Sequence, residues 1–316
     1  YGILPAPSFY FNNGKGDFSE SKEAVGDVPA GMYTAGLISD LDQDGKDELI
    51  LVGEWMAPSI YGFQNGQFKK LTSSLENKLG WWHSVASADL DNDGDLDLVF
   101  GNTGRNNYLR PDSTHPVKMW VNQYNPSESR QVIFTRTVNG KDVPVFLKKE
   151  LTDQIPTLKK QNLRHDAYAE KSIQELFSPE LIASSSVSVY NYANSVVAWN
   201  NGNGSFTIQE LPLDAQLSSV MAIHISDVNG DNRPDLLLGF NQYDWLPQFS
   251  RMDAGYGGVI LNQGNRKLDW LPYYQSGIRI VGETRDIKSV MINGRLHYLF
   301  VQSGSRPILY LKTDRP

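Results

Sequence analysis

The sequence predicts an all-β chain, a β-propeller of five to seven four-stranded antiparallel blades carrying a small helical insertion. Three observations predict it. Two segments repeat almost residue by residue and a third follows their plan, each holds an acidic nonapeptide between alternating apolar runs, and four Asn/Gly hairpins recur.

The repeated segments are YTAGLISDLDQDGKDELILVG (Tyr33–Gly53), WHSVASADLDNDGDLDLVFGN (Trp82–Asn102) and VMAIHISDVNGDNRPDLLLGF (Val220–Phe240). Alternation rich in β-branched and aromatic residues reads as strand, and the acidic stretch reads as a tight connection. The hairpins are PSFYFNNGKGDF (Pro7–Phe18), PSIYGFQNGQF (Pro58–Phe68), VVAWNNGNGSF (Val196–Phe206) and GVILNQGNRKLDW (Gly258–Trp270). Their Asn and Gly residues tolerate the positive φ that a two-residue turn demands. Joined, the two elements make a four-stranded blade. The acidic loops begin at 40, 89 and 227, so the first spacing suits one blade repeat of about 40–50 residues and the second leaves room for more.

Between them a degenerate unit starts at Val117–Thr135, with Asn122, Tyr124, Pro126 and Arg130 where acids would stand, and no metal is expected there. Residues 146–178 lose the strand period; Tyr168, Ile173, Leu176 and Phe177 share one helical face, with Ser178-Pro179 read as its stop. The reading is thus one domain over 1–316 with a helical insertion at 146–178 in one blade. RDIKSVMI, LHYLFVQ and RPILYLK supply three last strands, and the N-terminal hairpin is expected to close the ring against them. The first residues read as the middle of a repeat, so an upstream segment is expected.

Composition narrows the chemistry. Forty per cent apolar residues place the chain among globular proteins. The absence of cysteine excludes disulfides, thiolate zinc sites and cysteine nucleophiles. There is no apolar run of about 18 residues to span a membrane. A net charge of −7 argues against nucleic acid as partner. Thirteen of the 36 acids lie in the three loops, so ligand duty accounts for the acidity.

In each loop positions 1, 3 and 5 carry acid or Asn, position 6 an αL-tolerant residue, and position 9 an acid. Ca²⁺ takes six to eight hard oxygens, and alternate residues of a curled loop point inward. The predicted ligands are Asp40, Asp42, Asp44, Lys46 and Glu48; Asp89, Asp91, Asp93, Asp95 and Asp97; Asp227, Asn229, Asp231, Arg233 and Asp235. Position 7 (Lys46, Asp95, Arg233) offers its backbone carbonyl, and position 6 is Gly45, Gly94 or Asn232. About three structural calcium ions are expected, each pinning two strands.

With these residues in view, the chain resembles FG-GAP/VCBS repeat proteins, whose calcium-loop propellers occur in integrin α-subunits and bacterial surface proteins. GWWHSVASADLDNDGDLDLVFGNTGRN, SRMDAGYGGVILN and SGIRIVGETRDIK are most similar to exported bacterial VCBS-repeat proteins of the ASPIC/UnbV-associated type. The resemblance covers nearly the whole length; the acid-poor stretch at 122–130 and Asn232 in place of Gly depart from it. It implies calcium at the loops, an extracytoplasmic location (secreted, periplasmic or outer-membrane surface), and adhesion or binding of a protein or glycan partner.

No catalytic or cofactor-binding residue is singled out, and the five histidines show no paired ligand spacing. Trp55, Trp81, Trp82, Tyr243 and Trp245 border the predicted inner strands, where they either stack on sugar rings or pack between blades. The expected function is a non-catalytic calcium-stabilised scaffold. A polysaccharide lyase or hydrolase, or an accessory subunit of an outer-membrane assembly, are the alternatives.

Overall fold

In the computed structural model, which describes residues 2–161, 164–202, 204–245, 249 and 251–313, the alternating segments fold as strands. The chain divides into two compact units, Ala6–Arg110 with Ala193–Pro316, and Tyr1–Pro5 with Pro111–Tyr192.

The first unit opens with a hairpin of β1 (Tyr10–Asn12) and β2 (Phe18–Glu20). β3 (Met32–Ser39), β4 (Glu48–Met56), β5 (Ser59–Gln64) and β6 (Gln67–Leu71) then form an antiparallel sheet in that order, and β7 (Gly80–Trp81) adds to the far end of β4. The next sheet starts with β8 (Ser84–Ala88) and β9 (Asp97–Gly101).

Here the chain leaves for the second unit. It contains β10 (Val117–Asn122), β11 (Gln131–Val138), β12 (Lys141–Pro144) and, after five short helices, β13 (Ser186–Tyr190), in the sheet order β12-β11-β10-β13. The helices are α1 (Lys148–Gln154), α2 (Leu158–Gln161), α3 (His165–Ala169), α4 (Ile173–Leu176) and α5 (Pro179–Ala183). Leu151, Ile155, Leu158, Tyr168, Ile173 and Leu176 bury with Trp120 and Ile133 of its sheet and with Tyr124 of the β10–β11 connection.

Back in the first unit, β14 (Val196–Asn200) and β15 (Phe206–Glu210) complete the interrupted sheet in the order β15-β14-β9-β8. β16 (Val220–Ser226), β17 (Asp235–Phe240), β18 (Gly258–Asn262) and β19 (Leu268–Leu271) make the next sheet. β20 (Glu283–Ile292), β21 (Arg295–Ser303) and β22 (Ile308–Leu311) make the last. The first strands of successive sheets, β3, β8, β16 and β20, lie side by side, the arrangement of propeller blades. Side chains tie them: the Thr34 hydroxyl donates to the Trp82 carbonyl at 2.6 Å and the Ser84 hydroxyl to the Val220 carbonyl at 3.1 Å.

The second strands explain their own composition. DLVFG and DLLLGF are buried at every residue, so both faces need apolar side chains and alternation gives way to a continuous run. Val99, Trp199, Leu236, Leu238, Phe240 and Ile260 form one core across two sheets. Each such side chain contributes roughly 1.5–3 kcal/mol on burial. Glycine permits the closest approaches: a Cβ at Gly101 would sit 2.2 Å from Ser84 Oγ and 2.3 Å from the Val220 carbonyl.

The all-β, propeller-like reading is met, and one expectation, the pairing of the N-terminal hairpin, is corrected. The unit containing 111–192 has its own sheet, and the helices within 146–178 pack into its core. The described residues hold six sheets: one of four strands in the second unit and, in the first, one of five strands with β7 counted, two of four, one of three and one of two. The N-terminal hairpin remains a separate two-stranded sheet and leaves the last strands unpaired with it; Phe9 and Phe11 instead pack on Phe68 and Phe63 of the β5–β6 hairpin. Ser178-Pro179 follows the end of α4 at Leu176 as expected and also begins α5, since Pro suits the first helical position and Ser178 Oγ accepts the Leu181 N–H.

Candidate metal centres

All three acidic loops connect the first strand of a sheet to its second. Loop one joins β3 to β4, loop two β8 to β9, and loop three β16 to β17. One internal scaffold recurs in each. The position-1 carboxylate accepts the N–H groups of positions 5 and 6: Asp40 from Asp44 and Gly45, Asp89 from Asp93 and Gly94, Asp227 from Asp231 and Asn232. The position-5 carboxylate accepts the N–H of position 7, at 2.8 Å from Lys46, 3.0 Å from Asp95 and 2.9 Å from Arg233. The position-9 carboxylate reaches back to the N–H of position 2, at 3.0 Å for Leu41 and 2.9 Å for Leu90 and Val228. Positive φ at position 6 (84° at Gly45, 104° at Gly94, 64° at Asn232) permits this curl.

Carboxylate oxygens from positions 1, 3 and 9 converge in two loops. Asp40, Asp42 and Glu48 form one group and Asp89, Asp91 and Asp97 the other, each with ligand atoms within 4.8 Å of one another. Two oxygens on one Ca²⁺ at about 2.3–2.6 Å lie at most roughly 5 Å apart, so both groups fit that ion. Loop two supplies an independent sign. Among the described residues Asp91 Oδ1, which is buried, finds no hydrogen-bond donor, while Oδ2 accepts from the Arg266 Nε–H at 2.8 Å. A buried carboxylate oxygen without a partner is costly, and a bound cation would satisfy it.

The position-9 acids sit deepest. Asp97 and Asp235 are fully buried, and burial pushes the Asp97 carboxyl up to about 6 against two N–H donors, Asn200 and Leu90. Burial likewise raises Asp235 and Glu48. These are carboxylates in want of positive charge.

Other predicted ligands are engaged elsewhere. Asp44 pairs with Lys46 Nζ at 2.7 Å, a hydrogen bond that holds its carboxyl below the usual range. Asp93 and Asp95 stand outside the convergent group of loop two. In loop three position 3 is Asn229, and Asp231 pairs with the Arg233 guanidinium, so three acids do not converge as they do in the other two. The side chains of Lys46 and Arg233 thus act as counter-charges, leaving only their carbonyls as candidate ligands.

The aromatic candidates gather at the opposite ends of the strands. Trp55, Trp81 and Trp82 are 6%, 7% and 0% exposed. Trp81 meets Trp55 and Trp245 edge to face, at centroid distances of 5.1 and 5.5 Å, and Tyr243 lies under the Arg251 guanidinium. Trp82 packs on Phe100 and donates its indole N–H to the Lys78 carbonyl at 3.1 Å, so it has no face open to a sugar. Trp55 adopts φ 61° at a bulge in β4, a conformation rare for a bulky side chain.

Sequence reasoning missed three residues of this region. Arg266 comes from the β18–β19 turn, and Asn200 and Asn262 end third strands. The asparagines were visible in WNNGNG and LNQGN, where turn chemistry alone accounted for them.

Fold and loops together define a class: propeller-like repeat proteins in which acidic nine-residue turns join the first and second strands of several sheets. In keeping with it, a family model described as FG-GAP-like repeat matches residues 40–100 and 179–238. The chain therefore carries FG-GAP-like repeats in two regions, loops one and two in the first and loop three in the second. No curated protein matches the chain.

Proposed function

We propose that this protein is a calcium-binding module in which the ions lock strand pairs into a rigid, non-catalytic scaffold for a protein or glycan partner outside the cytoplasm. The convergence of Asp89, Asp91 and Asp97 around a buried, unpartnered Asp91 oxygen carries the calcium part. The donor set is all hard oxygen, which suits Ca²⁺. Loop one offers a second such set, and loop three a weaker one in which an amide replaces a carboxylate.

The extracytoplasmic setting and the partner class rest on the resemblance to exported bacterial VCBS-repeat proteins, in which such modules face the medium. Because a ligand that binds only the folded state stabilises it by mass action, calcium at a hundred times its Kd adds about 2.7 kcal/mol per site. Thermal melts in EDTA and in millimolar CaCl₂ test this. The transition rises with calcium in the proposal, and coincident melts would refute it.

A further inference from the structure

Each acidic loop is wired to the next through one buried asparagine. Asn200, 3% exposed, ends β14, the third strand of its sheet. Its Nδ2 donates to the Leu41 carbonyl of loop one at 3.0 Å and to the Leu96 carbonyl of loop two at 3.3 Å. Its backbone N–H donates to Asp97 Oδ1 at 2.8 Å. Asn262, fully buried, repeats the arrangement one sheet further on. Its Nδ2 donates to the Leu90 carbonyl of loop two at 2.6 Å and to the Pro234 carbonyl of loop three at 3.2 Å, and its N–H to Asp235 Oδ1 at 2.8 Å. Both side-chain oxygens accept the N–H two residues on, from Gly202 and Gly264, at 3.0 Å.

The correspondence is positional as well as chemical. In both cases the amide bridges position 2 of the preceding loop and position 8 of its own, while the same residue's backbone holds its own position-9 carboxylate. A direct bond, from the Leu96 N–H to the Leu41 carbonyl at 3.3 Å, runs beside the first bridge. Strand register puts Phe63 at the equivalent place in the sheet of β3 to β6, so loop one has no such bridge to anything before it.

We infer that the three loops take up divalent cations as a coupled row, with Asn200 and Asn262 as positioning residues that pass order from one loop to the next. This rests on the calcium reading above. An ion that fixes the backbone of loop two also fixes the Leu90 carbonyl, hence the Asn262 amide, hence the Asp235 carboxylate that loop three presents to its own ion. The ordering cost of the second site is partly met by the first, which is positive cooperativity without a change of fold.

Calcium titration of the full chain by calorimetry, after chelator treatment, tests the coupling. Asp89→Asn weakens the loop-two site and keeps an oxygen for the N–H groups of Asp93 and Gly94. Coupling requires the remaining sites to bind about fivefold more weakly or worse in this variant. In an Asn262→Ala background, the loss at loop three caused by Asp89→Asn disappears. Unchanged affinity at the remaining sites in Asp89→Asn overturns the coupling and leaves the calcium reading intact. No calcium uptake by the wild type overturns both. Circular dichroism checks that Asn262→Ala folds; if it does not, Asp89→Asn alone decides.

Discussion

Lowering the pH from 7 to 5 withdraws about 2 kcal/mol of stability through a single side chain, His83. It is 7% exposed, follows β7, and its Nε2 has no hydrogen-bond partner among the described residues. Burial, and then the nearby positive charge of Arg285, lower its pKa from 6.5 to about 4. The sign follows from which state takes the proton. Below 6.5 the unfolded chain protonates this imidazole and the folded one does not, so stability falls with pH until the folded group also titrates near 4. Integrating between these values gives about 2 kcal/mol lost by pH 5 and about 3 by pH 4, measured against neutral pH. At roughly 2–4 °C per kcal/mol for a unit of this size, the melt moves by several degrees. His83→Gln removes the titration. Urea unfolding of wild type and variant at pH 7, 6 and 5, in one buffer series, isolates the histidine because every other group is common to both. Parallel stability curves across that range would refute the assignment of a neutral buried imidazole.

Two further outcomes follow from the packing and from loop two. Gly101→Ala drives a methyl into Ser84 Oγ and the Val220 carbonyl, and the overpacked strand costs about 3 kcal/mol or prevents soluble expression; a urea midpoint unchanged from wild type would contradict the close approach. Arg266→Gln strips the counter-charge from Asp91, whose side chain is 10% exposed, so the EDTA-treated protein loses about 2 kcal/mol. Millimolar calcium narrows that deficit, and a deficit equal with and without calcium would count against an ion in loop two.

What the sequence discloses here depends on how local the signal is. The strands around each acidic loop are legible because alternation and a nine-residue turn are properties of twenty adjacent residues. The carboxylates of positions 1, 3 and 9 are legible for the same reason. Asn200 and Asn262 are not, because their amide partners in the preceding loop, Leu41 and Leu90, lie more than a hundred residues away along the chain. Composition marks them only as turn formers. The extent of the second unit was hidden similarly: SVSVY at Ser186–Tyr190 is unremarkable alone and becomes a strand by pairing with Val117–Val121. Trp82 shows the converse limit, since a tryptophan beside a strand end reads alike whether it faces solvent or core.

The excursion between β9 and β14 also bears on the order in which the molecule assembles. Residues 102–195 must be spanned before the second sheet can gain its third strand, a closure that costs roughly 2–3 kcal/mol more entropy than a short hairpin. Yet Val117 stands opposite Tyr190 in register, so the inserted unit returns its two ends to one place once it has folded. Folding of the insertion first would shorten the effective loop to its two tails, and the interrupted sheet would then zip as if the detour were a tight connection.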